Sequence, residues 1–398
     1  MNARVDQRLV VPFEFPVIFT DHVFAAENAV LHSALNRLGE ASPPRAMVYV
    51  DAGAEAASPG LAAAAAGWCG AWNVTPAAAP RVIPGGEAVK NDWTGTQGLV
   101  EEMLGLHLDR HAFVVIVGGG AVLDAVGFAA SLVHRGLRVV RVPTTALAQC
   151  DGAVGVKNGV NFGGGKNAIG VFAPPFAVVN DFQFLPTLAD REWRGGIAEA
   201  FKVAIIRDLA FFEFLCENTG AFRERREGPM RHLVQRCAEL HLEHIRTGGD
   251  PFEMGRARPL DFGHWAAHKL EVLSGFRIGH GDAVAAGVAL DSAYAARQGW
   301  IRDEDFLRIH QALSEAGFPL WYPEMEDAAL LDGLREFQEH LGGELCITFP
   351  DGLGKRREES RVEREGMRAC VRGLENSKFE IRNPNPEYRS RAAEPSDF

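Results

Sequence analysis

The run Ala112-Phe-Val-Val-Ile-Val-Gly-Gly-Gly-Ala-Val-Leu-Asp, continuing to Leu132, constrains the fold more than any other stretch of this chain. It reads as a buried strand, a three-glycine turn and the start of a helix. Around it, short β-rich apolar runs alternate with helical segments: Ala46–Val50, Phe113–Val117, Leu137–Val142 and Ala177–Val179. Strands separated by helices pair in parallel, because a crossover must return the chain to the same edge before the next strand starts. From about Leu185 the strand signal fades, and helical periodicity takes over in Ile197–Ile206, Met230–Ile245, Trp265–Leu273 and Ala283–Gln298. The expected class is α/β. A Rossmann-like parallel-sheet domain over 1–183 precedes an all-helical domain over 184–375, with the boundary near Phe182–Pro186. Residues 376–398 turn polar and proline-bearing, the composition of a frayed tail. Leu61–Gly67 reads as an alanine-rich helix, and no fixed-period repeat occurs.

Bulk composition narrows the function classes. With 398 residues and 47% hydrophobic content the chain has ample material for two cores. A formal charge of -11 argues against nucleic acid or an anionic membrane as partner, since both demand a basic surface. The six cysteines show no CxxC spacing, so neither a disulfide framework nor a thiolate metal site is expected. No signal-peptide pattern or spanning stretch of roughly 20 apolar residues is present, and a cytoplasmic location is expected.

Within the strand-turn-helix unit, bare glycines let backbone N–H groups approach a pyrophosphate, and the helix N-terminus favours its charge. An isolated triple-glycine turn also serves as a plain tight connection. Asp51, at the end of the Ala46–Val50 run, is placed to accept a ribose hydroxyl, which favours NAD over its 2′-phosphorylated relative; an acid there is as often an N-cap. Only seven of the 41 basic residues are lysines, and four of these (Lys90, Lys157, Lys166, Lys202) fall in glycine-rich or ligand-bearing segments. Such clustering of compact ammonium groups in an acidic chain implies an anionic small ligand.

Three widely spaced residues carry the metal chemistry: Glu199 in GGIAEAFK, His264 in DFGHWAAH and His280 in GHGDAV. Two imidazoles and one carboxylate hold a catalytic zinc, or cobalt in its place, and leave a coordination position open. His264 and His268 lie four apart, Glu199 and Lys202 three apart, so each pair shares one helix face. A single histidine on a mixed helix is more often structural; the set together is what points to a site. Asp151, Asp261 and Asp282 are candidates for supporting the ligands, and each could equally be a cap.

Taken in order, the motifs PGGEAVKND, VVIVGGGAVLD, HRG, RVPTTALAQCD, GVKNGVN, GGGKNAIGVFAPP, FLPTL, GGIAEAFK, DFGHWAAH and GHGDAV resemble the 3-dehydroquinate synthase superfamily of sugar-phosphate cyclases. GGDPFEMG and EHLGGELCIT make the chain most similar to the EboD-type 3-dehydroquinate synthase-like proteins. The resemblance implies an N-terminal NAD domain and a helical metal- and substrate-binding domain. It implies Glu199, His264 and His280 as zinc ligands, and Asp51, Glu87, Lys90, Gly119, Gly120, Asp124, Thr144, Thr145, Phe184, Thr187 and Leu188 as NAD contacts. Asp151, Lys157, Lys166, Asn167, Lys202 and His268 match the catalytic and substrate pocket, and Arg135 matches an arginine that reaches the substrate phosphate of a neighbouring subunit. A homodimer acting on a small sugar phosphate follows.

The implied reaction is a transient alcohol oxidation, phosphate elimination, re-reduction and intramolecular aldol closure without net redox change. Departures bear on the substrate. The family segment Arg-x-x-Leu-Asn-Phe-Gly-His reads here Ala257-Arg258-Pro259-Leu260-Asp261-Phe262-Gly263-His264, with arginine displaced and asparagine replaced by aspartate. A lysine of the preceding helix is missing, and His241, Glu243 and His244 occupy its neighbourhood. An added charge at Asp261 repels a carboxylate, which points to a neutral sugar phosphate such as a heptulose phosphate; His268, which the valiolone-forming relatives replace, is nevertheless kept. No residue aligns securely with the family's C-terminal phosphate-binding lysine; Lys355 is the candidate. An authentic 3-dehydroquinate synthase, a metal-dependent polyol or glycerol-phosphate dehydrogenase, and a catalytically silent member are the alternatives.

Overall fold

A computed structural model describes residues 4–163, 165–255, 257–340 and 342–376. The expected C-terminal tail, from residue 377 on, lies outside them. The chain forms two compact units: one holds the residues up to Pro143 plus Val156–Asp181, the other Thr144–Gly155 and the chain from Phe182 onward.

In the first unit, β1 (Val17–Thr20), β2 (Arg45–Asp51), β3 (Thr75–Pro76), β4 (Arg81–Ile83), β5 (Phe113–Gly118), β6 (Arg138–Pro143) and β9 (Ala177–Asp181) make one seven-stranded sheet. Its order is β1-β9-β6-β5-β2-β3, with β4 also on β2, and every pairing is parallel. The central β5 is buried along its whole length, as expected of a strand covered on both faces, and this is why its sequence is apolar without alternation. β7 (Lys157–Phe162) and β8 (Gly165–Phe172) form an antiparallel hairpin that apolar patterning did not announce, because polar and glycine residues dominate it. Val160 of the hairpin packs on Ala125 and Phe128 of the Gly120–Leu132 helix. Buried Arg141 fastens it further, donating to Asn158 Oδ1 at 2.8 Å and to the Lys157 carbonyl at 3.1 Å.

The second unit is helical, apart from a short antiparallel hairpin of β10 (Ile347–Pro350) and β11 (Arg356–Glu359). The helices that matter below are Asp190–Arg207, Glu227–Thr247, His264–Leu273 and His280–Arg297. Two of these cross closely. A Cβ on Gly281 would sit 2.4 Å from Gly195 Cα, and one on Gly287 would sit 2.1 Å from the Gly263 carbonyl oxygen. The glycines of GGIAEAFK, DFGH and GHGD thus let ligand-bearing backbones approach. Among the described residues no helix is long and apolar enough to cross a membrane.

Candidate metal centre and nucleotide turn

Nucleotide-type chemistry in the first unit starts at the β5 turn. Gly119 precedes the Gly120–Leu132 helix with extended backbone (φ -73, ψ 171), and no side chain caps that helix start. Asp51, 8% exposed, caps the following Ala52–Ala57 helix by accepting from Gly53 N at 2.7 Å; its other oxygen accepts from Gly119 N at 3.3 Å. The acid at the strand end is therefore an N-cap that also ties down the glycine turn. Lys90, 4% exposed, pairs with Asp124 Oδ2 at 2.7 Å and donates to Asn167 Oδ1. Asn161 accepts from Asn167 N at 2.8 Å and donates to Glu87 Oε1 at 2.8 Å. Glu87, Lys90, Asp124 and Asn167 are thus one network, with Asn161 as its unforeseen hub. Lys157 opens β7 in an exposed position, and Lys166 is half-buried on β8. Exposed Arg135 stands on a turn in which His134 (φ 50), Arg135 (φ 67) and Gly136 (φ 118) all adopt left-handed backbone, costly for the two residues with side chains.

Thr144, Thr145, Phe184, Thr187 and Leu188 belong to the second unit. Thr145 Oγ1 accepts from Ala148 N at 3.2 Å, and Thr187 Oγ1 donates to the Phe184 carbonyl at 2.7 Å; Thr144, Phe184 and Leu188 are buried.

The three ligand-type residues come together in this second unit. Glu199 lies fully buried within the Asp190–Arg207 helix, whose start is marked by Asp190 and by Glu192, which accepts from the Ala189 N–H at 3.3 Å. Both imidazoles turn Nε2 toward Glu199 Oε1, at 3.7 Å from His264 and 3.8 Å from His280. Their Nδ1 atoms are engaged elsewhere: His264 with the Phe262 carbonyl at 3.3 Å, His280 with Glu271 Oε2 at 3.1 Å. Carbonyl and carboxylate partners keep the proton on Nδ1, which leaves the Nε2 lone pairs facing inward. Burial first, then Lys202 and the neighbouring imidazoles, hold His264 well below its usual pKa, in the neutral form that a metal requires. All three ligand atoms lie within 4.8 Å of one another. Two inward-facing imidazole nitrogens and a buried carboxylate, with partners already behind both rings, fit a divalent cation.

Around this triad the charges are ordered. Lys202 Nζ, buried, pairs with Glu199 Oε2 at 2.5 Å and faces Asp151 Oδ2 at 3.6 Å. Burial lowers the Lys202 pKa, but the two carboxylates outweigh it and hold the ammonium charged. Asp151 Oδ1 lies 3.3 Å from Nε2 of His241, whose Nδ1 faces the Cys237 carbonyl at 3.0 Å. Acceptors face both ring nitrogens of His241, an arrangement that favours the imidazolium. Burial opposes that charge, yet Asp151 and Cys237 raise its pKa to about 10. His268 stands beside the triad, its ring 5.5 Å from that of His264 and 6.0 Å from that of His280.

Other expected residues stand apart from the triad. Arg258 folds back on its own loop, donating to the Gly255 carbonyl at 2.6 Å and the Glu253 carbonyl at 2.5 Å, with Glu253 Oε2 3.1 Å from Nε. Asp282 pairs with Arg194 at 3.3 Å, and Lys355 is exposed at the β10–β11 turn. Asp261 closes the short Pro259–Asp261 turn, where its charge reaches Lys202. Three supporting residues went unassigned in the sequence. Glu271 lies seven residues after His264 on the same helix face, a spacing that could have revealed it. His241 was noted only as the neighbourhood of a missing lysine. Asp291, fully buried, accepts from Gly263 N at 3.0 Å and from the Trp265 indole Nε1 at 2.9 Å, and so holds the backbone before His264 and the side chain after it; its signal was an acid in the middle of an apolar helix.

Family models for the N-terminal and C-terminal parts of 3-dehydroquinate synthase match residues 81–195 and 196–337. The 3-dehydroquinate synthase of Laribacter hongkongensis is 35% identical over 282 residues, 71% of this chain and 77% of that protein. That of Pelobacter propionicus is 36% identical over 275 residues, 69% of this chain and 76% of its own. The chain belongs to the 3-dehydroquinate synthase family. Among solved structures, 2-epi-5-epi-valiolone synthase ValA from Streptomyces hygroscopicus, with NAD+ and Zn2+ bound, superposes with a TM-score of 0.85 at 25% identity, covering 94% of this chain and all of that one. A 2-deoxy-scyllo-inosose synthase holding carbaglucose-6-phosphate, NAD+ and Co2+ shares the fold, with a TM-score of 0.73 at 22% identity over 90% of this chain and 96% of its own.

Proposed function

We propose that the protein is a sugar-phosphate cyclase that uses NAD and zinc and acts on a sugar phosphate without a carboxylate, such as a heptulose phosphate. The observation that carries this reading is the triad of buried Glu199, buried His264 and half-buried His280, with the Lys202 ammonium on the triad carboxylate. A simple metal-dependent alcohol dehydrogenase needs the triad; a cyclase also needs charged groups to handle a departing phosphate and a proton. Glu199, His264 and His280 would hold the ion, and Asp51, Glu87, Lys90, Gly119, Gly120, Asp124, Thr144, Thr145, Phe184, Thr187 and Leu188 would hold the dinucleotide. When bound, these groups supply Lewis acidity and a reversible redox couple.

The chain's own residues would do the rest. Lys202, kept protonated by Glu199 and Asp151, offers a fixed positive charge where negative charge develops on the substrate oxygen. Asp151, held by His241, fixes the ammonium's direction. Lys157, Lys166, Asn167 and His268 would bind the phosphate, joined by Arg135 from a second copy in a homodimer. The strained, outward turn at 134–136 supports that role for Arg135. Asp261, which displaces the family asparagine, would repel a substrate carboxylate, while Arg258, tied to its own loop, is turned to other partners.

Incubation with NAD, zinc and a panel of sugar phosphates, with released inorganic phosphate as readout, tests the reading. Phosphate release from a heptulose phosphate without NADH accumulation supports it. Stoichiometric NADH would make the chain a dehydrogenase, and release only from the carboxylated quinate precursor would make it an authentic 3-dehydroquinate synthase.

A further inference from the structure

Asp291 is a costly residue where it stands. From Ala283 to Ala296 every residue of the His280–Arg297 helix is buried, and Asp291 is the sole charged side chain among them. Burial pushes its pKa up to about 7, against the pull of the two groups bonded to it. Those groups are both neutral: the Trp265 indole, 2.9 Å from Oδ1, and the Gly263 N–H, 3.0 Å from Oδ2. Among the described residues no cation pairs with this carboxylate. An apolar side chain would avoid the cost of desolvating it, so its two bonds supply something that packing does not.

The start of the His264–Leu273 helix shows what that is. Gly263, just before His264, is left-handed (φ 78, ψ -10), and no side chain caps the helix there. A Cβ on Gly263 would lie 2.7 Å from Val288 N, so the backbone before His264 rests directly on the His280–Arg297 helix. Glycine contacts set how closely two helices approach, but with no side chains to interlock they leave sliding and rotation free. Asp291 removes that freedom with two directional bonds, one to the residue before His264 and one to the residue after it. It follows His280 by 11 positions, about three turns along the same helix face. A single helix therefore carries one imidazole at its head and grips, through Asp291, the segment that carries the other. The two rings lie 5.4 Å apart.

We propose that Asp291 is a positioning residue for the metal centre: its bonds to Gly263 and Trp265 hold the His264-bearing helix in register with the His280-bearing one and so set the spacing of the two imidazole ligands. It acts through a backbone N–H and an indole, with no bond to either imidazole among the described residues. The inference rests on the reading of Glu199, His264 and His280 as metal ligands; it does not depend on which substrate is turned over.

The test loads the full chain with cobalt(II) at about pH 8, where Asp291 is ionised. Affinity is read by competition with a chelator, and ligand geometry by the visible absorption of the bound ion. Asp291→Leu, which keeps the bulk and removes both acceptors, should weaken cobalt binding by about 10- to 100-fold and alter the spectrum. Asp291→Asn combined with Trp265→Phe should restore the parental spectrum and an affinity close to that of Trp265→Phe alone. One amide oxygen then suffices for the Gly263 N–H, and no indole N–H opposes the amide N–H. A role confined to stability would lower the melting temperature of Asp291→Leu and leave affinity and spectrum at parental values; that result overturns the proposal. So does a combined variant as weak as Asp291→Leu. Should Asp291→Leu not fold, Asp291→Asn alone takes its place and should bind cobalt several-fold more weakly than the combined variant, since its amide must turn an N–H toward one of the two donors; equal affinity overturns the proposal. A parent chain that binds no cobalt defeats the metal centre and the proposal together, whereas a loaded parent with unaffected variants defeats the Asp291 assignment alone.

Discussion

Glycine does different work in the two units. Gly120, at the head of the first unit's turn, has nothing within 4 Å of where a Cβ would stand, so the space beside it is open to a ligand. Gly281 and Gly263, in the second unit, face backbone: a Cβ would meet Gly195 Cα at 2.4 Å and Val288 N at 2.7 Å. The same residue type leaves room for a molecule in one unit and lets helices touch in the other. The polar groups differ in parallel. Around Lys90 opposite charges and amides satisfy one another, whereas Glu199, His264 and His280 aim ligand atoms at one point, where Glu199 Oε1 accepts no hydrogen bond. A network of the first kind supports; one of the second kind waits for a cation.

The largest effect that would break this contrast comes from the ligands. His264→Ala should reduce bound zinc from about one per chain to near none, measured by elemental analysis. Unchanged zinc content would remove His264 from the centre. Glu271→Gln, which loses the carboxylate behind His280, should weaken metal affinity by about 10- to 100-fold in a competition titration with a chelator.

The glycines offer a paired experiment. Gly281→Ala should cost about 1–3 kcal/mol of unfolding free energy, because two helix backbones must move apart. Gly120→Ala should leave stability level or raise it by up to about 1 kcal/mol, while weakening dinucleotide binding in a fluorescence titration. Equal stability loss in both would erase the distinction drawn above. Lys157→Ala should slow phosphate release with dinucleotide affinity unchanged; full turnover would take Lys157 out of the phosphate-binding set.

The last test is a pH dependence. The folded chain raises the His241 pKa to about 10, above the ordinary histidine value, so the stabilisation it gives is complete below about pH 6.5 and fades as pH climbs toward 10. The stability gap between the parent and His241→Gln, followed by denaturant unfolding without metal, should therefore narrow over that range. A gap that widens with pH would mean that His241 is neutral beside Asp151.

Much of this was legible in the chain alone. Strand runs of buried β-branched residues and the helical periodicities after Leu185 marked the elements, since burial on both faces or on one stripe leaves a direct trace in residue type. The β7–β8 hairpin, polar and rich in glycine, and the β10–β11 hairpin, with strands of only four residues, left little trace. Residue type and spacing singled out Glu199, His264 and His280, and the resemblance to a family matched them. The resemblance said nothing of Glu271 or Asp291 and gave His241 only as a neighbour of a missing lysine; the importance of all three lies in which atom they face.

From its sequence the chain determined the period and type of its elements, the acidic balance, and the side chains able to bind a cation or an anion, because these are local properties of residues and their spacing. Tertiary structure decided which nitrogen of each imidazole points inward, that Arg258 is spent on its own loop, and that Glu271 stands behind the His280 ring. Protonation state and pairing depend on distances of a few ångströms between remote segments, and only the folded backbone sets those distances.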